Sequence, residues 1–235
     1  MADPQSVSTF DALDDLDIQQ LSSATLRNQA ADLLRDFIIT GKIPSGRKIV
    51  ERRVAELLGI SRSPAREALM QLELEGLIVS KRDARYVVDL TEREIIELHQ
   101  VRLILERQAV DLAARNTNPR YQAAQLTVLQ EMQQAVREQN QLAFARADLN
   151  GHALIWEQSE NSWLCKTLHT MSGPYYLFMA NAAQQYDWQV TLGLHTELVQ
   201  CINAGDSAGA IDSLERHLSN SAERALGVLK HRQTK

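Results

Sequence analysis

Residues 43–76 read IPSGRKIVERRVAELLGISRSPAREALMQLELEG, and the apolar spacing inside this stretch decides the fold of the first third of the chain. Between residues 50 and 58, Val54, Leu57 and Leu58 recur at i, i+3 and i+4, as one buried face of a short helix requires. Gly59 then supplies a C-terminal stop, Ile60 plugs the corner, and Ser61 and Ser63 offer N-cap oxygens to a second helix. Pro64 is expected at that helix's first position, where its missing N–H costs nothing. Ala68, Leu69, Leu72 and Leu74 provide its buried stripe. Helix, glycine-containing turn and capped helix together form the helix-turn-helix pattern.

The placement of charge points to DNA. Arg62 and Arg66 lie four apart at the start of the second helix and face away from the leucine stripe. A recognition helix presents its N-terminal residues to the major groove, where Arg bonds guanine O6 and N7 bidentately. Arg47, Lys48, Arg52 and Arg53 precede it, ready for phosphates. Two arginines alone would read more plainly as a solvated face. Their conjunction with the glycine turn, the serines and the proline favours a DNA reader.

Working outward, residues 25–40 are amphipathic through Ala30, Leu33, Leu34, Phe37 and Ile38, and Gly41 ends that helix. Residues 77–80 and 86–90 are short β-prone runs separated by a charged turn, which predicts a two-stranded wing. Residues 1–24 carry five acids and no bases. They are expected to form a mobile arm, or alternatively an arm packing on a neighbour through Phe10, Leu13, Leu16 and Ile18. From residue 91 the pattern changes. Thr91-Glu92-Arg93-Glu94 is a capping box, and the helix it opens runs to about Ala114, before Asn116-Thr117-Asn118-Pro119. Helical segments follow at 121–138, 141–159, 162–181, 187–204 and 207–230. The fold class is therefore mainly α. A winged helix-turn-helix domain at 25–89 precedes an all-α bundle of about six helices at 90–230.

A chain of 235 residues accommodates two such domains. The hydrophobic share of 44 % and mean hydropathy of −0.28 suit a soluble protein. No run of about 18 apolar residues is present to span a membrane, and the N-terminus lacks the pattern of a secretory signal. Cys165 and Cys201 fall within helical patterns and read as buried thiols in a reducing compartment, so a cytoplasmic location is expected. The net charge of −5 divides unevenly: residues 25–88 hold twelve Lys/Arg against eight Asp/Glu, while both flanking segments are acidic. The positive balance sits on the helix-turn-helix.

In the second domain Asp148 and His152 are i and i+4 on one helix face, among Leu149, Ile155 and Trp156. His195 precedes the turn at Gly205-Asp206 by about ten residues and His217 follows it by about eleven. At ~1.5 Å rise per residue an antiparallel hairpin brings the two histidines opposite each other. Three imidazoles and a carboxylate on interior faces suit Zn²⁺, Ni²⁺ or Mn²⁺. Each residue taken singly also reads as an ordinary hydrogen-bonded core or surface group.

IPSGR at 43–47, Glu51, Ala55, LGISRSPAREAL at 58–69, Leu72 and EGL at 75–77 resemble the winged-helix domain of GntR-type bacterial repressors. The resemblance implies binding to double-stranded DNA as a homodimer, with Arg52, Ser61, Arg62, Ser63 and Arg66 among the contacts. Relatives carry an Arg-Gly pair at the wing tip, whereas this chain reads RDARY at 82–86. Asp83 would be repelled by phosphate and Ala84 lacks glycine's freedom to take φ > 0, which leaves Arg85 or Arg82 to stand in. Residues 91–229 resemble the ligand-sensing FCD domain of the FadR-type branch, through DLNGH at 148–152, Asn161, HTELVQCINAGD at 195–206, Ala210 and ERHL at 215–218. In metal-containing members Asp148, His152, His195 and His217 correspond to the ligands, with zinc placed first and nickel or manganese as alternatives. The usual aromatic residue before the second ligand is Gly151 here. Arg102 and Glu106 match an R-xxx-E pattern whose arginine meets an acidic effector; a surface i, i+4 ion pair is the alternative. Asn161 either lines the site or caps the following helix.

The expected function is a cytoplasmic, metabolite-responsive transcriptional repressor, acting as a homodimer on a pseudo-palindromic operator and released by a small carboxylate. Two alternatives stand beside it: a regulator for which the ion itself is the signal, and a metal-dependent hydrolase, for which neither Glu197 nor Glu215 is marked as the base.

Overall fold

The computed structural model describes residues 26–82, 84–116, 118–181 and 187–233, so the expected N-terminal arm and Asp83 at the wing turn lie outside the described residues. The chain divides into two compact units, residues 1–89 and 90–235.

The first unit runs α1 (Leu26–Ile39), β1 (Lys48–Ile49), α2 (Glu51–Leu58), α3 (Arg62–Leu74), β2 (Ile78–Lys81) and β3 (Ala84–Val87). Gly59 ends α2 in the left-handed region at φ 62°. Its N–H and that of Ile60 return to the carbonyls of Glu56 and Ala55, at 3.3 and 3.0 Å, satisfying groups the helix end would otherwise orphan. α3 starts two residues earlier than expected. Ser61 occupies the N-cap without a side-chain bond, and the Ser63 hydroxyl donates to Glu67 instead, at 3.0 Å. Pro64 is thus the third helical residue, still among the first four N–H groups that no helix uses.

Ala65, Ala68, Leu69 and Leu72 are buried, and α3 packs by this face on α1, whose own buried face includes Ala30, Leu34 and Ile38. Leu74 departs from the expected stripe and is 73 % exposed. At about 100° per residue it lies some 200° round the helix from Leu72. Arg35 clamps the two helices by a two-point bond to Glu75, Nε–Oε2 2.8 Å and Nη2–Oε1 2.7 Å. The sheet has three strands, ordered β1-β3-β2 and antiparallel throughout. The wing hairpin is thus joined by a third strand: Lys48 pairs with Tyr86 and Ile49 with Arg85. β3 begins at Ala84, earlier than expected, because Ala84 already pairs with Lys81, and Arg82 after β2 takes φ 58°.

The second unit comprises α4 (Glu92–Arg115), α5 (Pro119–Arg137), α6 (Gln141–Gln158), α7 (Ser162–Asn181), α8 (Trp188–Asn203) and α9 (Ser207–Gln233). The capping box on α4 forms as read: Glu94 N–H donates to Thr91 Oγ1 and Thr91 N–H donates to Glu94 Oε2, at 3.3 and 2.8 Å. Thr91→Ala is expected to lower the unfolding free energy of this unit by about 1 kcal/mol. The check is a shifted urea midpoint at unchanged slope; an unmoved midpoint would show that the cap contributes nothing. α5 starts at Pro119, not Tyr121, with Asn118 as its cap, because a proline at the first position loses no bond.

α4 is central and touches α6, α7, α8 and α9. Val110 and Ala113 of α4 form one core with Ile155, Leu198, Ile202, Ala210, Leu214 and Leu218. Gln158 closes the end of α4 inside the unit: its amide donates to the carbonyls of Ala113 and Asn116 while its own oxygen accepts from Gln125. Cys165 and Cys201 are free thiols, half-buried rather than buried. Among the described residues no helix is long and apolar enough to cross a membrane.

Candidate metal centre and nucleic-acid interface

The face of α6 that enters the core carries Asp148, His152, Ile155 and Trp156, spaced i, i+4, i+7 and i+8, all buried. Two polar groups therefore ride in on an apolar stripe, where an unpaired one would be costly. α8 and α9 form a hairpin about Gly205 at φ 73°. Their histidines 195 and 217 meet as the equal distances from that turn require, with ring centroids 4.5 Å apart. Asp148, His152, His195 and His217 are exposed by 7, 1, 1 and 3 %, and each offers one ligand atom within 4.8 Å of all the others. His152 Nε2 and His217 Nε2 are 2.9 Å apart, and His195 Nε2 is 2.6 Å from Asp148 Oδ1.

This donor set fits a divalent transition metal. Two imidazole nitrogens bound to one ion at about 2.1 Å each lie roughly 3.0 Å apart at an octahedral angle and about 3.4 Å at a tetrahedral one, and the two Nε2 atoms, at 2.9 Å, stand near the shorter of these. Burial pushes the Asp148 carboxyl up, but His195, His217 and His152 beside it outweigh burial and hold it below the usual carboxylate range. Burial, and then the neighbouring His195 and His152, push His217 well below an ordinary imidazole. It is therefore neutral near pH 7, the form that ligates metal.

A second carboxylate completes the cluster. Glu106 Oε2 accepts from His152 Nδ1 at 2.7 Å and from the Trp156 indole at 3.4 Å. Its other oxygen, Oε1, holds Arg102 through Nη2 at 2.6 Å and Nε at 2.8 Å. Arg102 and Glu106 are both 1 % exposed, and the guanidinium lies over Tyr175, 4.4 Å from the ring centroid, and 5.4 Å from that of Tyr176. Burial pushes the Glu106 carboxyl up, while Arg102 and His152 outweigh it and hold it down at about 2. The R-xxx-E pair is thus not a surface bridge. It is a buried brace. Sequence reading missed the bond from Glu106 to His152, although Arg102, Glu106, Ala109, Val110 and Ala113 repeat at core spacing and mark that face of α4 as interior.

Asn161 is not brought to the cluster. It is exposed, and its side-chain oxygen caps α7 by accepting from Leu164 N–H at 3.1 Å. A Cβ added at Gly151 would lie 3.5 Å from Cε1 and Nδ1 of His195 and from Cγ1 of Val128, in ordinary van der Waals contact, so this position adjoins the cluster directly.

In the first unit Arg62, Ser63 and Arg66 are exposed along the first turns of α3, with Ser61 at its cap. A cleft of about 520 Å³ opens beside them, lined by Lys48, Glu51, Arg52, Arg62, Arg82 and Arg85 among others. Five cations against one acid make it strongly positive. Arg52 reaches Glu56 at 2.8 Å yet stays 59 % exposed. Arg85 does not occupy the wing tip: it sits on β3 with Glu51 and Glu73 each 3.5 Å away, and only 21 % of its side chain is exposed. Among the described residues the one at the tip is the exposed Arg82.

A basic helix-turn-helix unit and a helical unit with a buried polar centre define a two-part regulator. The sequence profile of the bacterial regulatory proteins of the gntR family matches residues 26–88, and that of the FCD domain matches residues 97–220. The chain belongs to the gntR family, in the FadR-type arrangement with a C-terminal FCD domain, and is a transcriptional regulator, not an enzyme. It is 27 % identical over 206 residues to the gluconate operon transcriptional repressor of Bacillus licheniformis, covering 85 % of each chain. Among solved structures it resembles Escherichia coli McbR, with a TM-score of 0.73 and 23 % identity over 91 % of this chain and all of that one. The metal-free FCD domain of TM0439 aligns with a TM-score of 0.53 and 20 % identity, over 61 % of this chain and 99 % of that domain.

Proposed function

We propose that this regulator is a cytoplasmic, homodimeric repressor whose DNA binding is set by a small carboxylate held at a metal centre in the helical unit. The observation that carries the reading is the buried group of Asp148, His152, His195 and His217 in a chain that also carries an exposed basic helix-turn-helix. Those four residues would hold the ion, with Zn²⁺ the best fit and Ni²⁺ or Mn²⁺ compatible. The ion would supply a positive centre that takes carboxylate oxygens as ligands beyond the four protein donors. Around it, Glu106 orients His152, Arg102 keeps Glu106 compensated, and the surrounding apolar core excludes water. The carboxylate class is supported by the B. licheniformis relative, whose name ties it to an operon for a sugar acid. The effector must bind one arrangement of the dimer better than another, because only differential affinity shifts an equilibrium.

On DNA, two copies of α3 would enter successive major grooves of a pseudo-palindromic operator, with half-sites about one helical turn apart. Arg62 and Arg66 would read bases; Arg52, Ser61, Ser63 and Arg82 would hold the backbone. Arg85 is a brace between β3, Glu51 and Glu73 and reaches DNA only if those pairs open. Arg66→Ala is expected to weaken operator binding by roughly 1–3 kcal/mol with the fold intact, and affinity should fall steeply with salt as phosphate-bound counterions are released. A mobility shift unchanged by the substitution would remove α3 as the reading helix. For the effector, sugar acids are titrated against the operator complex of metal-loaded and chelated protein. Release by the acid in the loaded form alone supports the reading. Operator affinity that follows free metal and ignores every acid would make the ion the signal.

A further inference from the structure

The three imidazoles of the centre are not equivalent. His152 Nδ1 is 2.7 Å from the Glu106 carboxylate, which can only accept, so His152 carries its proton on Nδ1 and its Nε2 lone pair is bare. His152 Nε2 then faces His217 Nε2 at 2.9 Å, while His195 Nε2 faces Asp148 Oδ1 at 2.6 Å, so the donor atoms of the four residues converge on one point. The bond to Glu106 thus holds His152 in its ligating tautomer. Glu106 can hold it there because Arg102 occupies its other oxygen and is in turn stacked on Tyr175.

We infer that Glu106 is a positioning residue for the metal centre: it presets His152 as the anchor ligand by fixing the imidazole's tautomer and ring orientation. This rests on the metal-centre reading proposed above. The arrangement is a carboxylate–histidine–metal relay, in which the outer carboxylate raises the basicity of the ligand it holds. It also ties the centre to α4, the helix that follows the wing in the chain.

The test uses the full chain, stripped of metal with chelator, and two readouts. Imidazole ¹⁵N shifts, with His152 assigned by its loss in His152→Asn, report the tautomer without any metal; Zn²⁺ affinity is read by competition with a chromophoric chelator. Wild type should show His152 protonated at Nδ1. Glu106→Gln should mix the tautomers and weaken Zn²⁺ binding about 10- to 100-fold. Because Glu106→Gln leaves Arg102 buried without its counter-charge, Arg102→Met/Glu106→Gln is measured beside it, and should show the same loss without the unpaired cation. A wild-type His152 protonated at Nε2 overturns the inference, as does Zn²⁺ affinity equal to wild type in either folded variant. If wild type binds no Zn²⁺, the metal-centre reading fails separately, and the tautomer measurement still decides whether Glu106 sets His152.

Discussion

His195→Ala is expected to empty the proposed centre. Protein purified without chelator or nickel resin should carry about one transition-metal ion per chain by elemental mass spectrometry, as one four-ligand site implies; the variant should carry almost none. The substitution removes one of three nitrogens and also the group 2.6 Å from Asp148 Oδ1, so the remaining carboxylate loses its nearest partner. Stability gives a second readout. An ion that binds only the folded chain adds about 4 kcal/mol at a thousand times its dissociation constant, so zinc should raise the melting temperature of wild type and leave that of the variant unmoved. Wild type that holds no metal, even after incubation with Zn²⁺, Ni²⁺ or Mn²⁺, would make the cluster a self-satisfied polar core. The DNA-binding reading would survive that result; the carboxylate reading would not.

Arg102→Ala is expected to cost about 3–5 kcal/mol in the unfolding free energy of the helical unit, measured by urea denaturation of chelated protein. Arg102 and Glu106 each expose only 2 % of their side chains. Removing the cation strands a buried carboxylate whose remaining partners are His152 and the long contact from Trp156. It also opens a cavity against Tyr175. Replacing both charges, as in Arg102→Met/Glu106→Gln, should cost clearly less, because desolvation is then no longer owed to an unpaired ion. A loss under about 1 kcal/mol for Arg102→Ala would show that water reaches the pair. The Arg66→Ala and Glu106→Gln effects act on DNA and metal binding respectively, so the four substitutions separate the two units experimentally.

Much of the fold was legible because local rules and burial agree. The Gly59 stop, the Thr91 capping box, the apolar faces of α1 and α2 and the succession of helices after residue 91 follow from local sequence alone. The errors have local causes too. Leu74 was placed in a stripe that 100° per residue carries to the opposite face. Helix starts at Arg62 and Pro119 were misplaced because a proline is tolerated anywhere in the first turn. The third strand was missed since a two-residue segment such as Lys48-Ile49 has no period of its own; only pairing with β3 makes it a strand.

The candidate centre divides in the same way. The meeting of His195 and His217 could be computed from helix rise and the position of one turn, and Asp148 and His152 share a face by periodicity. These depend on backbone geometry, which short-range sequence dictates. Which partner a charged side chain chooses depends on what three or four helices bring within 3 Å of it. Sequence could place Arg102 and Glu106 on one face of α4, but it was the packing of α6 and α7 against that face that turned Glu106 toward His152 and Arg102 over Tyr175. The same holds in the first unit, where packing put Arg85 between Glu51 and Glu73 and left Arg82 at the wing tip. Burial removes water as the competing partner, and the surviving hydrogen bonds are then those the tertiary arrangement permits.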